Sequence, residues 1–217
     1  MINSIHFKVC GLTSLVDAEF ADHCGAAYLG FILYPPSPRG VTLEQFGEIQ
    51  GKLPLRKKVA VCVTPTVAEL QALAAAGADF FQIHFPHITP LETLRAWSQA
   101  VGPDKLWLAP RLPPPLDVAP AWLPLAETFL LDTFHADKFG GTGRTGDWIK
   151  FRRHQQVHPQ KNWILSGGLN PENIGDALRQ SGAHFVDVNS GVESAPGVKD
   201  HGKLKMFAAA LQRAGST

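Results

Sequence analysis

The sequence predicts one α/β domain over residues 1–217, folded as a closed (β/α)8 TIM barrel with an irregular fifth helix. Apolar and β-branched runs alternate with helical patterns along the whole chain, and no linker or low-complexity segment divides it. A length of 217 residues falls at the short end of the barrel range. An open doubly wound sheet is the alternative, but no glycine fingerprint for a dinucleotide follows the first strand.

The predicted strands share short apolar or β-branched runs bounded by turn residues. They lie at about residues 5–10, 27–33, 57–63, 79–84, 105–109, 128–132, 162–166 and 184–188. Helical patterns lie at about residues 14–24, 43–52, 67–76, 91–100, 148–157, 171–181 and 202–213. The residues predicted to cap helices are Thr42, Thr66, Asp147 and Asn170. Between the fifth and sixth strands, prolines at 110, 113–115, 120 and 124 allow only a short or irregular helix.

Composition excludes several classes of protein. A formal net charge of +1 and 18% charged residues argue against a nucleic-acid partner, a disordered chain or an acidic tail. No apolar run approaches the roughly 18 residues of a membrane span, and no signal-peptide pattern opens the chain, so we expect a cytoplasmic protein. Cys10, Cys24 and Cys62 have neither metal-ligand nor disulfide-framework spacing, which predicts reduced thiols and no metal.

Glycines end two consecutive strands near the C-terminus. Ser166-Gly167-Gly168 and Ser190-Gly191 each lead from a strand toward a helix, the second through a short helical turn expected at Val192-Glu193. Backbone N–H groups in such loops, together with helix N-termini, bind a phosphate dianion without a basic side chain. The alternative for each loop is a glycine that only ends a strand. Two such units late in a chain of this length favour the phosphate site of a barrel.

Polar side chains stand at the carboxyl ends of several predicted strands, where a barrel places its chemistry. These ends are Lys8-Val9-Cys10-Gly11, Gln82-Ile83-His84, Leu130-Leu131-Asp132 and Val186-Asp187-Val188-Asn189. Cys10 is either a small buried hydrophobic residue or a reactive thiol. Strand alternation puts Lys8 on the same face, where its ammonium would lower the pKa of the thiol. Asp132 is either a cap on the following loop or a catalytic carboxyl group.

Strand order also predicts a buried ion pair. In a closed barrel the eighth strand lies beside the first, and Asp187 and Lys8 both have the parity that points inward. We therefore expect them to pair beneath the strand ends.

Two loops carry further candidates. The stretch from Thr133 to Gly146 contains Gly140-Gly141-Thr142-Gly143, which is either a flexible surface turn or a lid that donates N–H groups to anions. In the stretch from Tyr34 to Gly40, prolines stiffen the backbone that presents Arg39. Arg39 is accordingly either suited to bidentate capture of a carboxylate or a solvated surface arginine.

A family resemblance runs through nearly the whole chain. It is carried by Lys8-Val9-Cys10-Gly11-Leu12-Thr13, Gly30-Phe31, Ser37-Pro38-Arg39, Leu131-Asp132, Gly140-Gly141-Thr142-Gly143, Trp148, Ser166-Gly167-Gly168-Leu169-Asn170-Pro171-Glu172-Asn173, Val186-Asp187-Val188-Asn189-Ser190-Gly191-Val192-Glu193 and Pro196-Gly197-Val198-Lys199-Asp200. In order and placement these segments resemble the phosphoribosylanthranilate isomerase family of tryptophan biosynthesis. The resemblance implies a (β/α)8 barrel without cofactor or metal. It also implies conversion of N-(5-phosphoribosyl)anthranilate to 1-(2-carboxyphenylamino)-1-deoxyribulose 5-phosphate.

The resemblance also implies roles for single residues. Cys10 matches the general base of the family, Asp132 its general acid, and Arg39 the arginine that receives the anthranilate carboxylate. The candidate substrate-binding residues are Arg39, His84, Gly141, Gly143, Gly167, Gly168, Asp187, Ser190 and Gly191. The expected partner is a small phosphorylated substrate, with no nucleic acid and no membrane, bound by a monomer or homodimer.

Two segments depart from the family pattern. The chain reads His84-Phe85-Pro86-His87 where the family continues with glycine and acidic residues, and Ala109-Pro110-Arg111 near the usual lysine of the fifth strand. Phe85 and Trp107 are there either apolar walls of the pocket or core residues. Two other functions stay open. One is isomerisation of a related amino-sugar phosphate, as in histidine synthesis, although such barrels have an aspartate at the position of Cys10. The other is a non-catalytic sugar-phosphate-binding barrel.

Overall fold

Eight parallel strands close into a barrel in chain order in the computed structural model, which describes residues 2–53, 55–132 and 147–214. The predicted fold is confirmed. The strands are β1 His6–Val9, β2 Tyr28–Ile32, β3 Lys57–Val63, β4 Phe80–Pro86, β5 Leu106–Arg111, β6 Thr128–Leu131, β7 Asn162–Leu165 and β8 Phe185–Val188.

Helices connect the strands on the outside of the barrel. They are α1 Leu15–His23, α2 Leu43–Gln50, α3 Val67–Ala75, α4 Leu91–Val101, α5 Trp148–Val157, α6 Ile174–Ser181 and α7 His201–Ala214. Between β5 and β6 the chain forms only a 3₁₀ helix, Pro120–Leu125, which confirms the irregular connection that the prolines predict. No helix among the described residues is long and apolar enough to cross a membrane.

Side-chain caps fix where several helices begin. Thr42 and Thr66 each form a reciprocal capping box with the residue three positions later, and Asp147 accepts a hydrogen bond from the backbone N–H of Lys150. The predicted start of the sixth helix at Pro171 is wrong, although Asn170 does accept the two backbone hydrogen bonds that an N-cap residue accepts. α6 begins three residues later, because Asn170 Oδ1 accepts from the backbone of Glu172 and Asn173 and holds a turn ahead of the helix.

Two apolar layers result from alternation along the strands. Outward side chains such as Phe7, Phe31 and Phe81 are buried against the helices. Inward side chains fill the barrel interior, and the buried apolar ones are Cys10, Val59, Val61, Trp107, Ala109, Leu130 and Ile164. Trp107 packs edge-on against Tyr28 inside the barrel. Phe85 faces outward and packs against Trp97 and Trp122. Trp107 and Phe85 are therefore both core residues.

β4 and β5 are both two residues longer at their carboxyl ends than the sequence predicts. Their pairing runs on from His84 and Ala109 to Pro86 and Arg111. The residue before a proline favours extended backbone, which explains why Phe85 and Ala109 prolong the strands. The residues that depart from the family pattern thus lengthen both strands at the rim of the barrel.

The chain after β8 differs from expectation. The short helical turn is a 3₁₀ helix at Ser190–Val192, two residues before the predicted position, so that Ser190 and Gly191 lie within it. An antiparallel hairpin that the sequence did not predict follows, formed by β9 Glu193–Ala195 and β10 Val198–Lys199. Strands of three and two residues are too short to show a recognisable alternation pattern.

Candidate active site

A pocket of about 760 Å³, counting its open mouth, lies at the carboxyl ends of the barrel strands. It brings together the predicted site residues Cys10, Arg39, His84, Asp132, Gly167, Gly168, Asp187 and Ser190. The other lining residues are Ile32, Tyr34, Ser37, Val61, Val63, Gln82, Ser166, Leu169 and Asn189. Gly191 does not line the pocket, but it lies against the backbone of Leu169, which does. Gly141 and Gly143 lie outside the described residues.

Lys8 and Asp187 form the floor of this pocket. They are paired in register on β1 and β8, and Lys8 Nζ lies 2.7 Å from Asp187 Oδ1. Both side chains are almost fully buried, so the predicted inward ion pair is confirmed. Burial is the largest influence on Lys8 and opposes its charge, but Asp187 and Cys10 together outweigh it and keep the pKa of Lys8 above its ordinary value. Burial raises the pKa of Asp187.

The thiol of Cys10 lies at the end of β1, directly above this pair. Burial raises the pKa of the thiol, and the positive charges of Lys8 and Lys199 offset only part of that effect. The expectation that Lys8 gives Cys10 a lowered pKa is therefore wrong, because desolvation of a thiolate outweighs the attraction of the ammonium. A thiolate formed from such a thiol is correspondingly a stronger base.

Gly30 makes room for this arrangement from the neighbouring strand. A methyl group at Gly30 would lie 3.1 Å from Cys10 Cα, 3.2 Å from Lys8 Cε and 3.3 Å from Cys10 Sγ. Sequence reasoning noted Gly30 only as part of a family segment. A glycine of the same parity as the inward residues of β2 was the signal that could have revealed its role.

His84 and Gln82 are adjacent inward residues of β4, and both line the pocket. Burial and the charge of Lys8 lower the pKa of His84 to about 4, so the imidazole is neutral near pH 7. Gln82 Nε2 lies 2.8 Å from His84 Nε2. With the amide in this orientation, Gln82 Nε2 donates to His84 Nε2. Gln82 Oε1 is buried without a hydrogen-bond partner among the described residues. It is a polar group that sequence reasoning did not select.

Asp132 follows the last residue of β6 and is half-buried where it lines the pocket. Two strands, β7 and β8, separate its strand from β1, which carries Cys10. The carboxyl group and the thiol thus belong to well-separated positions on the rim of one pocket. This placement fits a pair of groups that act on a ligand between them.

The two glycine loops pack against each other beside the pocket. Gly167 and Gly168 have φ angles of 98° and 62°, which disfavour other residues. Asn173 Nδ2 donates to the carbonyl of Gly168 at 2.8 Å and fixes the shape of this loop. At Gly191, an added methyl group would overlap the carbonyl oxygen of Leu169. The close approach of the two loops therefore requires glycine at position 191.

Arg39, in the loop after β2, is held in place by a carboxylate. Arg39 Nε donates to Glu193 at 2.9 and 3.0 Å, and Nη2 donates at 2.7 Å. Lys199 Nζ donates to the same carboxylate at 2.9 Å. Arg39 is therefore not a solvated surface arginine, since only 13% of its side chain is exposed. Sequence reasoning quoted Glu193 and Lys199 in family segments but assigned neither a role.

The described pocket combines a thiol, a carboxyl group, an arginine and glycine loops. Among residues 2–53, 55–132 and 147–214, no group of three or more His, Cys, Asp or Glu side chains is placed to hold a metal ion. The residues present can transfer protons, and the arginine and the glycine loops are two kinds of group that can bind anions.

Comparison with known proteins agrees with this geometry. Residues 7–210 match the family model described as N-(5'-phosphoribosyl)anthranilate isomerase. The isomerase of Magnetococcus marinus is 39% identical, with 97% of each chain covered. A solved structure of monomers made from the dimeric Thermotoga maritima isomerase has a TM-score of 0.74 at 30% identity, covering 96% of this chain and 98% of that one.

A second solved isomerase holds reduced 1-(o-carboxyphenylamino)-1-deoxyribulose 5-phosphate. It has a TM-score of 0.75 at 30% identity, covering 96% of this chain and 99% of that one. The matched range, residues 7–210, spans the positions of every described site residue. The chain belongs to the N-(5'-phosphoribosyl)anthranilate isomerase family.

Proposed function

We propose that this chain catalyses the Amadori rearrangement of N-(5-phosphoribosyl)anthranilate to 1-(2-carboxyphenylamino)-1-deoxyribulose 5-phosphate in tryptophan biosynthesis. The observation that supports the proposal is one pocket lined by Cys10, Asp132, the glycine-loop residues Gly167 and Gly168, and Arg39. The two ends of the substrate are anionic, a phosphate and a carboxylate. Glycine loops and an arginine suit these two groups respectively.

The first step opens the sugar ring. The anthranilate nitrogen donates its electron pair to C1, the bond from C1 to the ring oxygen breaks, and that oxygen takes a proton from Asp132. The product of this step is a cationic Schiff base with a C1–N double bond. A carboxyl group at the pocket rim is suited to meet the ring oxygen.

The second step removes the proton from C2. Cys10, as thiolate, takes this proton, and the electron pair flows toward the cationic nitrogen to give an enolamine. Protonation at C1 and loss of the proton from the C2 hydroxyl then complete the ketone, so no proton is gained or lost overall. Each of the two enzyme-assisted proton transfers contributes roughly a hundredfold or more to the rate.

Binding at both ends holds the reacting carbons between the acid and the base. In the proposal Gly167, Gly168, Ser190 and Gly191 bind the phosphate through backbone N–H groups, and Gly141 and Gly143 contribute to substrate binding as well. Arg39 takes the anthranilate carboxylate. The neutral imidazole of His84 and the carboxylate of Asp187 face the sugar hydroxyls. The imidazole can donate a hydrogen bond to a hydroxyl group, and the carboxylate can accept one.

The same proposal covers partners and location. The substrate is a small phosphorylated molecule, and a net charge of +1 gives no support for a polyanionic partner such as nucleic acid. We place the protein in the cytoplasm, away from membranes, as a monomer or homodimer. The Thermotoga maritima isomerase noted above is a dimer in its original form.

Steady-state turnover tests the proposed function. Phosphoribosylanthranilate, generated in the assay because it is labile, should be converted to the ketose by the purified chain. A non-catalytic binding barrel would bind the product and convert nothing. Conversion of an aminoimidazole substrate with no conversion of phosphoribosylanthranilate would instead favour the related isomerase.

The orientation of the substrate has its own test. Arg39→Ala should raise KM for phosphoribosylanthranilate and leave the affinity for inorganic phosphate nearly unchanged, since the proposal assigns the carboxylate and the phosphate to different groups of the pocket. An equal fall in the affinity for phosphate would assign Arg39 to the phosphate site.

A further inference from the structure

The carboxylate of Glu193 connects the loop that carries Arg39 to the β9–β10 hairpin. It accepts three hydrogen bonds from Arg39, one from Lys199 Nζ at 2.9 Å and one from the backbone N–H of Gly197 at 3.2 Å. Its side chain is only 4% exposed. A buried carboxylate with this many donors is held in one position.

The contact with Glu193 determines which edge of the Arg39 guanidinium stays open. Nε and Nη2 donate to Glu193, and in the described part of the chain Nη1 has no hydrogen-bond partner. Arg39 also lines the pocket. A guanidinium fixed along one edge can still bind a second carboxylate with its remaining donors.

The charges of the cluster explain why an arginine already paired with a carboxylate can still attract an anion. Arg39 and Lys199 carry two positive charges against the single negative charge of Glu193, which leaves an excess of one positive charge. Lys199 Nζ also donates to Asn189 Oδ1 at 2.9 Å, and Asn189 lines the pocket. The cluster therefore presents a net positive charge to the pocket.

The hairpin that carries Glu193 is fixed to the loops of the first two strands. Thr13 Oγ1 donates to the carbonyl of Gly197 at 2.6 Å. Gly197 has a φ of 82°, and a methyl group there would lie 3.2 Å from Thr13 Cγ2 and 3.6 Å from the carbonyl of Pro38. The hairpin is thus packed between the segment after Cys10 and the segment that presents Arg39.

We propose that Glu193 is a positioning residue that aims the Arg39 guanidinium at the carboxylate of the substrate, with Lys199 supplying the charge that keeps the site attractive to an anion. The inference rests on the proposed function, because it takes the role of Arg39 from there. It adds a residue that does not itself touch the substrate. Its effect should be confined to ligands that have the carboxylate.

Calorimetric binding of two ligands tests this inference. One is the product, 1-(2-carboxyphenylamino)-1-deoxyribulose 5-phosphate, and the other is the same molecule without the ring carboxylate. Glu193→Gln should weaken binding of the product at least tenfold and binding of the analogue less than threefold. Glu172→Gln, which removes an exposed carboxylate from the loop before α6, should change neither.

A double-mutant cycle shows whether Glu193 acts through Arg39. In the Arg39→Ala background, adding Glu193→Gln should change the affinity for the product by less than threefold. If Glu193→Gln does not fold, Glu193→Asp keeps the charge but shortens the side chain, and it should show the same selective loss at about threefold or more. Circular dichroism and thermal unfolding of every variant report folding.

The outcomes separate the two proposals. Equal weakening of both ligands by Glu193→Gln, or no weakening, would overturn the positioning role while a selective loss in Arg39→Ala left the proposed function intact. Full additivity in the cycle would overturn it as well. No selective loss in Arg39→Ala, or wild-type protein that binds both ligands equally, would instead count against the proposed role of Arg39.

Discussion

Lys8 on β1 and Asp187 on β8 are paired in register, and their charged atoms lie 2.7 Å apart inside the barrel. Neither side chain has more than 5% exposure. Cys10 comes two residues after Lys8 and points to the same face, so its thiol lies above the ion pair. The ion pair therefore forms a charged floor under the thiol, and it joins the first and last strands where the barrel closes.

The ion pair should behave as a structural unit. Asp187→Asn leaves a buried ammonium without its counter-charge and should lower the free energy of unfolding by about 3 kcal/mol. Combining it with Lys8→Met, which removes the ammonium, should recover part of that loss. Urea unfolding at pH 7.5 measures both effects. Strictly additive losses in the double variant would show that the two side chains do not interact.

Gly30 should not tolerate a side chain. Gly30→Ala places a methyl group against the Cys10 backbone and should cost about 1–3 kcal/mol of stability, with a fall in kcat as the thiol shifts. Gly47→Ala is the matched control, because Gly47 lies inside α2 with no atom within 4 Å of an added methyl group. That change should stabilise the protein by about 0.5–1 kcal/mol. Equal effects from the two substitutions would refute the packing argument.

The close contact between the glycine loops gives a prediction for anion binding. Gly191→Ala forces the Leu169 carbonyl away and should weaken binding of inorganic phosphate at least tenfold, measured by calorimetry. Gly175→Ala, in the first turn of α6, is the control, since its added methyl group meets only the end of the flexible Arg179 side chain at 3.5 Å. Phosphate affinity unchanged in Gly191→Ala would mean that the phosphate does not depend on these loops.

His84 should make the protein less stable in mild acid. Its pKa is about 4 in the folded state against 6.5 in the unfolded chain, so below pH 6.5 the unfolded chain takes up the proton first. Stability is fully present above pH 6.5 and falls as the pH drops toward 4, by about 3 kcal/mol in total from this group. In the His84→Gln variant, this part of the loss of stability in acid should be absent. Urea unfolding of both proteins at four pH values between 7.5 and 4.5 gives the slopes, and parallel slopes would contradict the prediction.

The strand-level features of the fold could be predicted because they depend on local pattern. Alternation identified eight strands, and the parity of Lys8 and Asp187 was sufficient to predict their pairing once closure was assumed. The β9–β10 hairpin was missed because its strands are too short to alternate. Glu193, the partner of Arg39, lies in this hairpin and was missed with it. Two residues 154 positions apart leave no local pattern in the sequence that would show their contact.

The state of Cys10 was predicted wrongly for a different reason. The sequence places a lysine on the same face, but it does not show how deeply the thiol is buried, and burial decides the direction of the pKa. For Gln82 and Asn189, by contrast, the sequence did contain the information needed to place them. Their parity with His84 and Asp187 places them in the pocket, and applying the alternation rule two residues before His84 and two residues after Asp187 would have found them.

The assignment of Cys10 as base and Asp132 as acid is tested most directly by kcat for Cys10→Ser and Asp132→Asn, with product affinity measured on the same samples. Cys24→Ser, which alters a half-buried thiol at the end of α1, is the control and should keep wild-type kcat. The proposal predicts that each site variant loses at least about a hundredfold in kcat while its affinity for the product stays within threefold. A kcat near the wild-type value in either variant would contradict the assignment.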